Sequence, residues 1–394
     1  MYNMAGALMQ LVAYGAQDVY LTAEPTITFW KAVYRRHTNF AMESMSQTLS
    51  GTANFGNRVV CRISRNGDLL HRIYVNATLP TQSGDTDSND YVSRVGFCLL
   101  NNVELRVGGQ QIDRHYSRWM HIWTELTNDT DMKALLDKLV GPKGVDGVVP
   151  TASANLNLNI PLLFAFCRNP GLALPLIALQ YHEVELWIQF ETLSNCLQDG
   201  TGTGSLSEVE LWADYIFLDT EERKEFAQKP HEYLIEVTQN QEATVTGSNN
   251  NSVRLTFNHP TKFVCWAVQV TGAGDPFTCF NDGAANPESN VNQAKLKLNG
   301  QDRFQIRDTT YFNYVQPYQH FEVKPDLGIN VISFALKPAE HQPSGSCNMS
   351  LIDNINLELT PNLGSGDSGS LYVYAFSYNV FRVASGMGGL AYSN

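Results

Sequence analysis

The chain writes much the same strand pattern twice. Val103-Glu-Leu-Arg-Val-Gly-Gly-Gln110 is similar to Ala294-Lys-Leu-Lys-Leu-Asn-Gly-Gln301, and an Arg- and Tyr-containing stretch follows each. Ile160-Pro-Leu-Leu-Phe-Ala-Phe166 is likewise similar to Val331-Ile-Ser-Phe-Ala-Leu336, and each precedes a proline-containing loop and then an alternating strand, at Val184 and at Ile355. Each half closes on an aromatic strand, Val209–Leu218 and Leu371–Phe381. Hydrophobic patterning sets strand pairing and register, so a pattern written twice predicts two similar units.

Those units read as sheets. Runs rich in Val, Ile, Leu, Tyr, Phe and Trp recur between Gly, Asn, Pro and Ser clusters. They include Val59–Ile63, Arg72–Thr78, Asn102–Val107, Val184–Phe190, Tyr233–Val237, Ser252–Phe257, Phe263–Val270, Ile329–Leu336 and Asn354–Leu359. In Val184-Glu-Leu-Trp-Ile-Gln-Phe190 and Val209-Glu-Leu-Trp-Ala-Asp-Tyr215, apolar and polar residues exchange faces with period two. Short strands separated by long loops suit an all-β fold of two tandem eight-stranded jelly-roll β-sandwiches, a double jelly roll with a few short helices.

Helical signals are few. Pro25 suits a first helical position, with Ile27, Trp30 and Tyr34 following at helical spacing. Asp131–Val140 reads as a helix capped by Asp131, and Thr220–Lys229 as a charged turn or helix between the halves. The resulting division is an N-terminal arm over 1–24, a first jelly roll over 25–219, a linker over 220–229 and a second jelly roll over 230–394. Ile160–Tyr181, with Arg168 and three prolines, reads as two buried strands and a turn rather than a membrane span.

Composition excludes several roles. In 394 residues, 27 basic and 39 acidic side chains leave a net charge of −12, which argues against a surface built to neutralise nucleic-acid phosphates. The 7 cysteines include no C-x-x-C pair, and Cys61, Cys98, Cys167 and Cys265 sit in strand-like apolar contexts. They read as buried free thiols of a reducing compartment. Gly366-Asp-Ser-Gly-Ser370 matches a serine-protease nucleophile motif superficially, but no histidine motif accompanies it, so it reads as a loop feeding a strand. The histidines form no His-x-His metal pair; His115, His121 and His182 read as hydrogen-bonded structural residues. Glu183 and Glu185 share one strand face as a glycosidase pair would, and alternate with Val184 and Leu186 as a solvated face or subunit contact does. No catalytic residue, cofactor or metal is expected.

The N-terminal segment points outward to a partner. Met1–Gln17 is apolar without Lys or Arg, unlike a signal peptide, and a cluster of Lys31, Arg35, Arg36 and His37 follows it. An apolar arm with nothing of its own to pack against predicts docking on a neighbour, through Leu8, Leu11, Tyr14, Tyr20, Trp30, Lys31, Arg35 and Arg36. N-x-S/T sequons stand at Asn76, Asn128, Asn250 and Asn348; modification there would need secretory processing that nothing else in the chain implies.

Four blocks carry a family resemblance: Leu8–Thr22, Ile27–Glu43, Tyr215–Glu236 and Ser377–Asn394. They resemble the major capsid proteins of nucleocytoplasmic large DNA viruses, and they frame both termini and the junction between halves. The resemblance implies a double jelly roll that assembles as a homotrimer. Three chains of two similar sandwiches give a pseudo-hexagonal capsomer, which tiles an icosahedral shell with neighbouring capsomers. It also implies that the arm and the Pro25–Arg36 segment lie at the inner base, near neighbouring subunits, minor capsid and penton proteins or a layer over an internal membrane. The long loops would face outward. Assembly in the host cytoplasm and a place in the virion follow, without direct nucleic-acid contact. A scaffold or minor capsid protein of the same lineage, or a carbohydrate-binding sandwich, are the alternatives.

Overall fold

The computed structural model describes all residues except 1–5, 28, 30–33, 83–90, 144–154, 199–201, 248–249, 272–276, 278–288, 326–327, 364–366 and 393–394. It divides into two compact units, Met1–Asn39 and Phe40–Asn394.

The N-terminal unit holds two short helices, α1 (Gly6–Val12) and α2 (Val19–Thr22), and neither buries a residue. The helix expected from Pro25 is not seen where the chain is described: Pro25–Ile27, Phe29 and Tyr34–Arg36 are non-helical, and the rest of that stretch lies outside the described residues. Thr26, Ile27 and Thr28 form a β-branched run whose helix propensity is weak, and one amphipathic turn cannot offset it.

Among the described residues of the larger unit, sixteen strands form two sets of eight. The first eight are β1 (Phe40–Gln47), β2 (Arg58–Arg62), β3 (Leu69–Leu79), β4 (Leu100–Val107), β5 (Gln110–Tyr116), β6 (Leu156–Pro161), β7 (Val184–Phe190) and β8 (Ser207–Leu218). They pair as the sheets β1-β8-β3-β6 and β2-β7-β4-β5. The second eight are β9 (His231–Thr246), β10 (Asn251–Leu255), β11 (Pro260–Val270), β12 (Val291–Leu298), β13 (Gln301–Asp302), β14 (Asn330–Ser333), β15 (Ile355–Pro361) and β16 (Ser368–Ala384). They pair as β9-β16-β11-β14 and β10-β15-β12-β13. Counted within each half, both sets run 1-8-3-6 and 2-7-4-5, which is the two-sheet order of a jelly roll. A few two- to four-residue strands extend the edges.

The stretches matched in the sequence fall on equivalent elements. Val103–Gln110 and Ala294–Gln301 are both the hairpin between the fourth and fifth strands of their set. Gly108-Gly109 and Asn299-Gly300 turn those hairpins with positive φ at both positions, 58° and 82° against 49° and 80°. That is the backbone of a two-residue hairpin turn whose twist suits the flanking strands. The paired β6 and β14, β7 and β15, and β8 and β16 complete the correspondence.

The longest helices among the described residues are α3 (Ser117–Thr127), α4 (Thr130–Val140) and α5 (Thr220–Gln228). The cap of α4 is Asp129, whose side chain accepts from the Thr130 amide at 2.7 Å; Asp131, expected as the cap, sits in the first turn. Asp129 has the extended backbone that a cap requires, and Asp131 still places a carboxylate at the positive end of the helix dipole. Ile160–Tyr181 keeps strand geometry only at Ile160–Pro161 and Leu174–Pro175: Ala165–Arg168 is a helical turn and Pro170–Leu172 a 3-10 turn, because prolines remove ladder donors. Cys61 and Cys265 lie on strands, but Cys98 and Cys167 lie on short helices; all four are buried free thiols. Burial pushes the Cys61 thiol up to about 11 and that of Cys167 to about 12.

Each sandwich has its own core. Val59, Ile73, Val75, Leu105, Leu186 and Leu211 belong to the first; Val264, Trp266, Leu296, Leu357, Leu371 and Val373 belong to the second. A third cluster lies between them and joins α3 to the outer face of the β9-β16-β11-β14 sheet.

Candidate assembly surfaces

The α3 helix packs between the two sandwiches. Trp119, Ile122, Trp123 and Leu126 recur at i, i+3, i+4 and i+7, which is one helical face, and this stripe lies on Phe263, Cys265 and Ala267 of β11 and Tyr374 and Phe376 of β16. Trp123 and Phe376 stand 4.7 Å apart by ring centroid, and Trp119 and Phe376 5.3 Å. Met120, on the opposite side of α3, enters the first core. The β9-β16-β11-β14 sheet is therefore buried on both faces, which is why β11 reads as a continuous apolar run rather than an alternation. The stripe was present in the sequence, but the neighbouring strands of the same hydrophobicity masked it.

Polar clamps fix the same junction. Lys262 is fully buried; its ammonium donates to Glu236 Oε1 at 2.5 Å and to the Glu340 carbonyl at 2.6 Å. Arg168 holds the other Glu236 oxygen at 2.8 Å and lies over the Trp123 ring. Burial draws the Lys262 amine below its ordinary range, and Glu236 opposes that shift. Asp113 accepts the Thr238 amide of β9 at 3.0 Å while its other oxygen meets His115 at 2.8 Å. Arg118 on α3 donates to Gln269 at 2.7 Å and lies over Tyr372. These charges sit in low dielectric and are paired, so removing one partner strands the other.

The outer sheet faces of the first sandwich differ from one another. On β2-β7-β4-β5, the guanidinium groups of Arg58 and Arg106 both lie over the Trp187 ring, at 4.1 and 3.9 Å from its centroid. Buried Glu104 binds Arg58, Arg106 and Arg114 together. Glu185 pairs with Arg62 at 3.2 Å and accepts from Trp187 at 3.0 Å, and Glu183 is exposed beside Arg62, so this pair serves an ion network across a sheet face. On β1-β8-β3-β6 the outer face carries the registered pair Trp212 and Tyr74, each half-buried, with Ser46 opposite Trp212 and Ser44 opposite Asp214 on β1. Trp212 donates to Glu210 at 3.0 Å, repeating the Trp187–Glu185 bond, but among the described residues no guanidinium lies over its ring as Arg58 and Arg106 lie over Trp187.

The arm residues expected to dock are solvent-facing. Leu11 is 78% exposed and Tyr20 93%; Leu8, Tyr14, Arg35 and Arg36 are exposed as well, and Trp30 and Lys31 lie outside the described residues. Among the sequons, Asn76 is half-buried on β3 with Thr78 buried, and Asn128 half-buried after α3. Asn250 and Asn348 are exposed, and the Asn348 side chain accepts from the Ser350 amide at 3.1 Å. His115 meets Asp113, His182 bonds the Gly388 carbonyl at 2.9 Å, and His121 stacks on Phe277. Ser368 is the first residue of β16. Among the described residues no cluster of His, Cys, Asp and Glu could hold a metal ion, and no helix is long and apolar enough to cross a membrane.

Two tandem jelly rolls of one strand order, locked by an apolar helix and carrying their remaining chemistry on flat faces, define a double jelly-roll protein. Two family models match: the major capsid protein N-terminus over 28–219, and the large eukaryotic DNA virus major capsid protein over 222–389. The chain is 47% identical to the major capsid protein of Pyramimonas orientalis virus, over 99% of this chain and 100% of that one. It is 44% identical to that of Paramecium bursaria Chlorella virus 1, with the same coverage. A chain of the quasi-atomic model of the PBCV-1 virus capsid covers 93% of this chain and is covered in full, at a TM-score of 0.77 and 39% identity. The Faustovirus major capsid protein matches at a TM-score of 0.75 over 96% of each chain with 14% identity, a likeness of fold alone. The chain belongs to the major capsid proteins of large eukaryotic DNA viruses. It is a structural component of the virion shell and not an enzyme.

Proposed function

We propose that this chain forms a homotrimer whose six sandwiches make a pseudo-hexagonal capsomer, and that such capsomers tile the flat facets of an icosahedral shell. The observation that carries this reading is the same strand order written twice: three chains then supply six similar modules, and a contact between unlike faces closes into a ring. The functional division follows the expected arm at 1–24, jelly rolls at 25–219 and 230–394, and linker at 220–229. Leu8, Leu11, Tyr14, Tyr20, Trp30, Lys31, Arg35 and Arg36 are the arm's contact residues, at the inner base. They face neighbouring subunits, minor capsid and penton proteins or the layer over an internal membrane. Assembly takes place in the host cytoplasm.

Light scattering tests the trimer. A mass near 130 kDa, about three times the 43.9 kDa chain, is expected at micromolar concentration, and a monomer with no sheets or shells in micrographs would overturn it. Deleting residues 1–22 is expected to leave the thermal unfolding of the sandwiches and the trimer intact while impairing shell assembly; a chain that no longer folds would make the arm intramolecular core.

A further inference from the structure

Two of the buried thiols form a pair. Cys98 sits on the helical turn Val95–Leu99, and Cys196 ends the helical turn Leu193–Cys196 far along the chain. Cys98 is 5% exposed and Cys196 is fully buried. Backbone contacts lace the two segments together. The Val92 amide donates to the Cys196 carbonyl at 3.0 Å, and the Glu191 amide donates to the Leu99 carbonyl at 2.8 Å. Tyr91 and Leu197 form an antiparallel bridge. The Cys98 thiol itself donates to the Asn195 carbonyl at 3.3 Å, one residue before Cys196.

The thiols also act on one another. A hydrogen bond with Cys98 raises the Cys196 thiol well above its ordinary range, and burial and the Glu191 carboxylate add to that shift. Cys61, Cys167 and Cys265 are raised by burial first, and no second thiol contributes to any of them. A partner, and not burial, is what sets Cys98 and Cys196 apart. A disulfide forms without backbone movement only where the two cysteines' backbones already lie close. Here the bonds at Val92 and Leu99 flank Cys98, and those at Glu191 and Leu197 flank Cys196, so both backbones are held in place.

We propose that Cys98 and Cys196 are an oxidation site, free thiols in a reducing compartment that a low-molecular-weight disulfide closes into a bridge in an oxidising one. The Cys98 thiolate attacks one sulfur of the small disulfide and expels its other half as a thiolate. The Cys196 thiolate then attacks the Cys98 sulfur and expels the second half. Two protein thiols lose two electrons and become one disulfide. The small disulfide gains those electrons, and its two halves leave as thiols carrying the two protons. Cys98 takes the first step because it is the more exposed of the two, on a single helical turn that costs little to open. A thiol held in its protonated form exchanges slowly near neutrality, so the pair outlasts folding and closes later. The bridge fastens the Tyr91–Leu99 and Glu191–Leu197 segments of the first sandwich and restricts the unfolded chain. In the shell, closure follows passage from the cell to the medium outside. That timing rests on assembly in the host cytoplasm; the capacity to close does not.

The test incubates the reduced full-length chain, freed of reductant, with oxidised glutathione at about pH 8.5, where thiolates form. Maleimide alkylation under denaturing conditions is expected to find two fewer free thiols than before oxidation. A non-reduced digest should join Cys98 to Cys196, and the thermal midpoint should rise by about 5 °C. Dithiothreitol should reverse all three changes, and Cys98→Ala with Cys196→Ala should show none of them. A chain that keeps every thiol, holds glutathione on Cys98 without a bridge, or joins either cysteine to another partner would overturn the proposal. A 98–196 bridge that leaves the midpoint unmoved would overturn its role as a staple. Released particles, alkylated before any reduction, test the timing. Free Cys98 and Cys196 there would overturn closure outside the cell, while leaving the capacity to close and the trimer standing.

Discussion

The two 1-8-3-6 sheets of this molecule have one topology and two fates. The β9-β16-β11-β14 sheet is covered on both faces, and its outer residues are Phe263, Cys265, Tyr374 and Phe376. The outer face of the β1-β8-β3-β6 sheet is covered at one end, where Phe226 of α5 packs on Leu69 and Ile216, and is more open where it carries Ser44, Tyr74, Asn76, Glu210, Trp212 and Asp214. A face that is always covered inside one chain can be wholly apolar. A face that a newly folded chain shows to water needs charges and amides around its aromatics, because large exposed apolar patches promote indiscriminate association. The chemistry of each sheet thus reflects how far it is covered within the chain.

The largest effect is expected at the covered sheet. Trp119→Ala removes a fully buried indole from between the sandwiches and should cost about 4 kcal/mol in denaturant unfolding. A loss below about 1 kcal/mol would mean that α3 does not hold the junction. Glu236→Gln should cost about 3 kcal/mol, because Lys262 and Arg168 would keep their buried charges without the carboxylate that both bind. Replacing Lys262 by Met in the same background should recover part of that loss.

Alkaline titration separates the sheets less sharply. Burial pushes Tyr378 on β16, Tyr233 on β9 and Tyr215 on β8 up to about 12, and raises Tyr374 on the covered face further. A folded-state value above the unfolded value of about 10 contributes stability below pH 10 that is lost as pH rises through the folded value. Lys262, drawn downward, works in the opposite sense as its own window closes, and is outnumbered. Stability should therefore fall steeply between pH 10 and 12, and Tyr374→Phe should flatten that fall.

The smallest effect is expected at the open sheet. Trp212→Ala should change the stability of the dissociated chain by less than about 1 kcal/mol, since the ring is half-exposed there. A change of several kcal/mol would show that this face is already covered within the chain, and the contrast between the sheets would fail.

Much of this architecture could be read from the residues. Strict alternation located β7 to the residue, and the similarity of Val103–Gln110 to Ala294–Gln301 fell on equivalent hairpins. The edge strand β1 escaped notice because Phe40-Ala-Met-Glu-Ser-Met-Ser-Gln47 buries almost nothing, so it carries no clear period. The α3 helix escaped because its stripe sits between apolar strands, where hydrophobicity alone does not separate period 3.6 from period 2. The exposed arm was legible from its missing charges, since apolar residues without neighbours in the sequence pattern had no strand to join.

The order of strands, their repetition and the unpaired arm were set out along the chain itself, because period and turn chemistry are local properties. Which sheet α3 covers, how Lys262 finds Glu236, and why Tyr74 and Trp212 stay open while Cys265 and Tyr374 do not were decided by the tertiary structure. Those outcomes depend on which of two similar faces lies within reach of one helix, and reach is a property of folded geometry that no local pattern encodes.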